Sequence, residues 1–128
     1  MFAIATDSSA NLDYKALGLE NIPVAPFSYS IDGEEHTCPP VDGFAGAAYY
    51  DAIRKGAVVT TSQVTPHLFK EALTPLLQKG LDVLFVGMSS GISGSHSSAE
   101  TAAEELREQY PDRKIRLVDT LSASLGEG

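Results

Sequence analysis

Cysteine is nearly absent from this 128-residue chain, where Cys38 stands alone. A single thiol permits no internal disulfide and no cysteine-built metal centre. Basic residues are scarce too. Nine Lys and Arg stand against seventeen Asp and Glu, for a formal net charge of −8, and no basic run exceeds the pairs Arg54–Lys55 and Arg113–Lys114. A surface of that sign is repelled by phosphate backbones and anionic lipid, which argues against nucleic acid and membrane surfaces as partners. Long apolar runs are missing as well: nothing approaches the roughly 20 residues that a membrane helix needs, so no stable membrane insertion is expected. The apolar opening Met1–Thr6 is too short for a signal peptide and has no basic flank. The expected location is cytoplasmic. His36, His67 and His96 do not show metal-ligand spacing, and no metal or cofactor is expected.

What is present suits one globular domain, with 43% hydrophobic and 20% charged residues. The run Phe2-Ala3-Ile4-Ala5-Thr6 ends at the turn-forming Asp7-Ser8-Ser9 and reads as a buried first strand. A helical turn over Asp13–Leu17, closed by Gly18, leads to a second strand at Ile22–Val24. Phe27, Tyr29 and Ile31 then alternate with serines, and Asp32-Gly33 is a strong hairpin signal. Glu34–Thr37 becomes the return strand of an antiparallel flap.

Helical spacing follows in three places. Asp42–Lys55 carries Phe44, Ala47, Ala48, Tyr49 and Ile53, with Asp42 as N-cap and Gly56 past the end; Gly43 and Gly46 weaken its first turn. Val58 and Val59 lead into Thr60-Thr61-Ser62-Gln63. The next helix has Thr65 as N-cap, Pro66 at its first position and Gly80 after its last turn, with a stripe of Leu68, Phe69, Ala72, Leu73, Leu76 and Leu77. Pro75 inside that stripe predicts a kink or a break. Val83–Val86 lacks polar alternation and reads as a central strand buried on both faces. After Ser89–Ser95 an alanine-rich helix runs to about Tyr110, then Ile115–Val118 forms a strand. The tail Asp119–Gly126 resembles a loop opening another helix, so the chain reads as truncated.

The alternation predicts an α/β fold: a mostly parallel sheet with helices on both faces, plus a small antiparallel hairpin flap. Ligand sites in such folds lie at the carboxyl ends of the strands. Four hydroxyl-rich segments fall there, Thr6–Ser9, Thr60–Ser62, Ser89–Ser95 and Thr120–Ser124. Around Ser89–Ser95, two glycines allow a tight turn and the helix start offers unpaired N–H groups, an arrangement that holds an anion. The competing reading is that these serines merely cap the helix. No Lys-Ser/Thr completes a phosphate loop, and no Gly-x-Gly-x-x-Gly follows the first strand. Neutral donors suit a carboxylate or a single phosphate. The candidate ligand-binding residues are Thr61, Ser62, Ser93, Gly94, Ser90, Ser95, Asp7 and Ser8, with Asp7 alternatively a plain turn acceptor.

Gly91-Ile92-Ser93-Gly94-Ser95 also has the outline of a nucleophile elbow, but Ser95 occupies the place of its final glycine. His96 is the only base close in sequence to Ser93. A serine hydrolase and a small-anion regulatory module therefore stand as alternatives, and no catalytic residue is assigned.

Thr6-Asp7-Ser8-Ser9, Thr61-Ser62-Gln63 followed by Pro66, Ser89-Ser90-Gly91-Ile92-Ser93-Gly94, and Asp119-Thr120 with Ser122–Gly126 resemble the DegV family in order and spacing. The resemblance spans essentially the whole chain. It implies that residues 1–128 form an incomplete N-terminal domain, without a C-terminal lipid-binding domain. It further implies that a long-chain fatty acid is held by its carboxylate at Thr61 and Ser93, with Ser62 and Gly94 adjacent and the tail in an apolar tunnel. Members of this family act as the acyl-carrying subunit of a fatty acid kinase whose separate ATP-binding subunit does the phosphorylation. By that resemblance the chain is not itself an enzyme. Without a second domain it should expose an apolar face. The family usually continues the serine loop with Thr-Tyr, where this chain has Ser95-His96.

Overall fold

The computed structural model describes residues 1–18, 22–38 and 43–128. Strands β1 (Phe2–Asp7), β2 (Val24–Ala25), β6 (Asp82–Gly87) and β7 (Ile115–Asp119) form one parallel sheet in the order β2-β1-β6-β7. Strands β3 (Ser28–Ile31), β4 (Glu34–Thr37) and β5 (Val59–Ser62) form a separate antiparallel sheet in the order β4-β3-β5. Helices α1 (Tyr14–Leu17), α2 (Gly46–Arg54), α3 (Pro66–Gln78) and α4 (Ser95–Gln109) connect them, with 3-10 turns at Ser8–Ala10 and Ser124–Gly126.

Register puts Ala3, Val83 and Ile115 in one row of the parallel sheet and Ala5, Phe85 and Leu117 in the next, all on one face because side chains alternate along a strand. Against that face α3 brings Phe69, Leu73 and Leu77, and α4 brings Ala99, Ala102, Ala103 and Leu106. The small side chains of α4 let it lie close to both α3 and the sheet. Phe69 meets Phe85 edge-on, ring centroids 5.1 Å apart. Each large side chain sealed here contributes about 1.5–3 kcal/mol of transfer free energy.

The opposite face is less covered. Leu84 and Val86 are half-buried, not fully enclosed as their unbroken apolar run suggested. Phe2, Ile4 and Val118, on that face, remain 62%, 45% and 39% exposed. The crossover from β1 to β2 runs in the opposite sense from those carrying α3 and α4, so right-handed connection routes α1 past this second face. Helices thus flank both faces, but unequally. Both long helices share one side, and α1 has only four residues.

Pro75 neither breaks nor splits α3, which runs through it without interruption. Its ring faces solvent, where water can satisfy the Glu71 carbonyl that proline leaves without an N–H. The cap of α3 is as expected: Thr65 Oγ1 accepts from Leu68 N at 3.3 Å. Helix α2 starts at Gly46, later than its sequence pattern suggested, with no side-chain cap at Ala45. The expected cap Asp42 lies outside the described residues.

The flap hairpin forms as read. Asp32 and Gly33 both have positive φ, 51° and 88°, the backbone of a type I′ turn. The Asp32 carboxylate also accepts from Val58 N at 2.9 Å, tying the turn to the start of β5. One expectation is corrected here. Thr60–Ser62 does not follow a strand of the parallel sheet; it is itself strand, paired antiparallel with Ser28–Ser30. Local sequence shows that a segment is extended, but its partner is chosen by long-range packing. A ring cluster joins β3, β4 and α2, with Tyr29 stacked on His36 and edge-on to Tyr49.

Candidate ligand-binding cleft

A cleft of about 500 Å³ opens where the carboxyl ends of β1 and β6 meet the end of β5. Ser8, Ser9 and Asn11 form one wall, Met88, Ile92, Ser93 and Gly94 another, and Phe27, Ser28, Cys38, Thr61, Ser62 and Gln63 the flap side. None of these residues is Lys or Arg. The cleft offers neutral hydroxyls, amides and a few apolar groups.

Five of the eight candidate residues line it together: Ser8, Thr61, Ser62, Ser93 and Gly94. The other three sit behind the wall and hold it. Asp7 is buried; its Oδ1 accepts from Ser9 N at 2.9 Å and its Oδ2 from Met88 N at 3.2 Å. It therefore clamps the β1 loop to the end of β6, the turn-acceptor role. Ser95 is buried at the start of α4, where its Oγ accepts from Val64 N at 3.1 Å. That bond joins α4 to the segment between β5 and α3. Ser90 turns away: its N–H and hydroxyl both donate to the Asp119 carboxylate. The Ser90 hydroxyl and the Leu121 N–H hold the Asp119 carboxyl below its usual range.

The fourth hydroxyl-rich segment does not reach the cleft. Thr120 Oγ1 donates to Gly87 O at 2.9 Å, and Ser89 N donates to Ser122 O at 2.9 Å. Thr120–Ser124 braces the serine loop from behind. Three segments converge on the cleft where four were expected to.

Ser93 has two uses. Its Oγ accepts from Ser95 N at 3.2 Å, capping α4, and donates to Ser95 Oγ at 3.0 Å. The hydroxyl rotor is free to exchange that second bond for an incoming acceptor, since Ser95 Oγ is itself a rotatable hydroxyl. The capping bond keeps Ser93 at the positive end of α4, where an anion is favoured. A Cβ at Gly94 would lie 2.1 Å from Gln63 Oε1, the far end of a flexible side chain, so any larger residue here displaces Gln63. Gln63 reaches over the α4 start, with Nε2 donating to Ser98 Oγ at 3.4 Å.

His96 does not join Ser93. It is among the residues lining a different hollow, with Glu100, Glu104, Arg107, Arg116 and Leu117, and its Nε2 lies 3.9 Å from Glu100 Oε1. Among the described residues no three His, Cys, Asp or Glu come together as a metal site. No helix of the described residues is long and apolar enough to cross a membrane.

Ser9 and Ile92 fall inside segments that the sequence placed at the site without singling them out, whereas Asn11, Phe27, Ser28, Cys38, Gln63 and Met88 were missed in the cleft. Gln63 carried a signal, standing next to Thr61-Ser62. Phe27, Ser28 and Cys38 carried none, because they arrive through the flap. Burial raises the Cys38 thiol above its ordinary range, partly offset by a hydrogen bond with Ser8. Glu127 was also missed. It is buried against Thr6 and Ser9, 118 residues away from the latter.

A DegV domain-containing protein of Clostridium perfringens is 35% identical over 127 residues, covering 99% of this chain and 44% of that protein. Among solved structures, a DegV protein from Thermus thermophilus described for fatty acid binding superposes with a TM-score of 0.83 at 30% identity, covering 99% of this chain and 43% of its own. A stearic-acid-binding protein from Eubacterium ventriosum gives 0.83 at 25% identity, with 97% and 43% covered. The chain thus spans less than half the length of these relatives. The sequence profile of the family described as uncharacterised DegV proteins matches residues 1–128, and the chain belongs to the DegV family.

Proposed function

We propose that this chain contributes the carboxylate-holding half of a fatty-acid carrier. The observation that carries the reading is the cleft itself, in which Thr61, Ser62, Ser93 and Ser8 converge at the α4 N-terminus with no cation among the lining residues. Neutral hydroxyls and a helix end stabilise one carboxylate, and tolerate its conversion to an acyl phosphate, better than they hold a triphosphate. Thr61 and Ser93 donate to the carboxylate, Ser62 and Gly94 shape its seat, and Ser8 closes the β1 side. Ser95, Ser90 and Asp7 support these groups from behind. The similarity to structures described as binding fatty acid or stearic acid agrees with this ligand class.

In this reading a separate ATP-dependent kinase subunit phosphorylates the bound carboxylate, and this protein does no chemistry of its own. The acyl tail extends into an apolar tunnel built largely by a C-terminal domain outside residues 1–128. The protein acts in the cytoplasm. Ser93 Oγ donates to Ser95 Oγ and His96 lines a different hollow, so no observation favours the hydrolase alternative, nor a small-anion module over a carrier.

Native mass spectrometry of the full-length protein purified from cells tests the proposal. A co-purifying long-chain fatty acid, lost in the double variant Thr61→Ala/Ser93→Ala, is the expected result. A protein that emerges empty and takes up no added fatty acid overturns it.

A further inference from the structure

Ser9 lies on the cleft wall, and its single hydroxyl proton faces two carboxylates. Its Oγ is 2.5 Å from Asp7 Oδ1 and 2.5 Å from Glu127 Oε2. One O–H cannot donate to both. The arrangement closes only if one carboxyl is protonated, donating to Ser9 while Ser9 donates to the other. Thr6 Oγ1, 3.4 Å from Glu127 Oε1, adds a weaker donor. Among the described residues none of the ion pairs involves Asp7 or Glu127, so no cation relieves the pair. Asp7 is the ionisable group facing Glu127, from the end of β1.

We infer that the Asp7–Ser9–Glu127 bridge holds one proton and that Glu127 sets the affinity of the neighbouring cleft for a carboxylate ligand. With the proton present, the bridge locks the loop Ser8–Asn11 onto the segment Ser124–Glu127, an attachment reinforced by Asn11 Nδ2 donating to Ser124 Oγ at 3.0 Å. With the proton gone, two negative charges face one hydroxyl. The wall loosens, and a second negative charge sits beside the seat of an anionic ligand. Both effects weaken binding. A carboxylate that binds above this titration must bring one proton from solvent to restore the bridge. Burial, with the charge of Asp7 adding to it and the Ser9 hydrogen bond opposing it, pushes the Glu127 carboxyl up to about 7, which puts the change near neutral pH.

The inference rests on the carboxylate-carrier reading, and Glu127 acts as a positioning residue. Its test is dodecanoate affinity measured by calorimetry from pH 5.5 to 8.5 on the full-length wild-type protein and its Glu127→Gln variant, with carboxyl-¹³C NMR of the wild type alongside. In wild type, affinity should fall on the order of three- to tenfold across neutral pH, as for one added charge near the site. In Glu127→Gln that fall should vanish, and the Glu127 resonance should titrate near 7 instead of in the ordinary glutamate range. The comparison between proteins cancels the ionisation of the ligand and of the histidines. Equal pH slopes in the two proteins, or a Glu127 resonance titrating near its ordinary value, overturn the inference while leaving the carrier intact. No binding by wild type at any pH overturns the carrier reading and this inference with it. If Glu127→Gln does not fold, the wild-type resonance decides.

Discussion

The two sheets of this molecule are built to different standards of packing. Around the parallel sheet, Phe69, Leu73, Phe85, Ala99 and Leu106 are sealed from solvent in a core drawn from α3, α4 and all four strands. In the flap no residue of β3, β4 or β5 is fully buried, and α2 buries none either. Its cohesion comes from a hairpin, a strand pairing and a chain of aromatic rings. The cleft lies between the two, with Ser93 and Ser8 carried by the well-packed unit and Thr61, Ser62 and Ser28 by the loosely packed one. A fixed wall facing a yielding one suits the carrier proposed above, which would have to admit and release a bulky amphiphile. Local stability generally follows this kind of difference in burial.

Breaking the rigid side should have the largest effect. Phe85→Ala removes a ring stacked edge-on to Phe69 and is expected to cost about 3–5 kcal/mol, read as a large drop in the chemical-denaturation midpoint. Gly94→Ala acts at the junction. Its new Cβ would meet Gln63 Oε1, the far end of an exposed flexible side chain, so Gln63 swings aside with a stability cost of about 1 kcal/mol or less and a weakened fatty-acid affinity in a titration. Unchanged affinity with Gln63 displaced would show that neither Gln63 nor the bare Gly94 backbone shapes the seat.

The flap is expected to respond locally. Tyr49 contacts Tyr29, Phe44 and Tyr50, and Tyr49→Ala should cost only about 1 kcal/mol. Hydrogen exchange should quicken across β3–β5 while amides of α3 and α4 keep their protection. Equal acceleration in both sheets would show that they open as one unit and would end the contrast drawn above.

A last prediction, spread over a pH window, concerns the junction of the two chain segments at the cleft wall. Glu127 has its folded carboxyl raised from 4.5 to about 7, so between those values the unfolded chain has released a proton that the folded chain keeps. Stability from this group is therefore complete below about pH 4.5 and is lost as pH rises through about 7. Thermal melts of wild type should decline over that window relative to Glu127→Gln. Parallel curves would mean that Glu127 ionises normally in the fold.

Most of the parallel unit was legible in the sequence because its signals are local. Thr65, Pro66 and Gly80 punctuate α3, and the unbroken run Val83–Val86 marks an inner strand. Asp32-Gly33 announced the hairpin for the same reason. Legibility failed where partners are distant. Nothing near Thr60–Ser62 tells that its partner is β3, and Pro75 looked disruptive only because its solvent-facing position could not be seen. In the cleft, the Thr-Ser and Ser-Gly pairs were visible as motifs, whereas Ser90, Ser95 and Asp7 proved to be braces. That distinction depends on side-chain direction, not residue type. The Asp7–Ser9–Glu127 bridge joins the two ends of the chain, beyond the reach of any spacing rule.

Chemical-shift mapping with a fatty acid carrying a ¹³C-labelled carboxyl group tests the central claim most directly. The account predicts contacts from that carbon to the hydroxyl-bearing residues Thr61 and Ser93, with amide shifts at Ser62, Gly94 and Ser8. Contacts confined to the exposed face of Phe2, Ile4 and Val118, with the cleft residues unmoved, would contradict it.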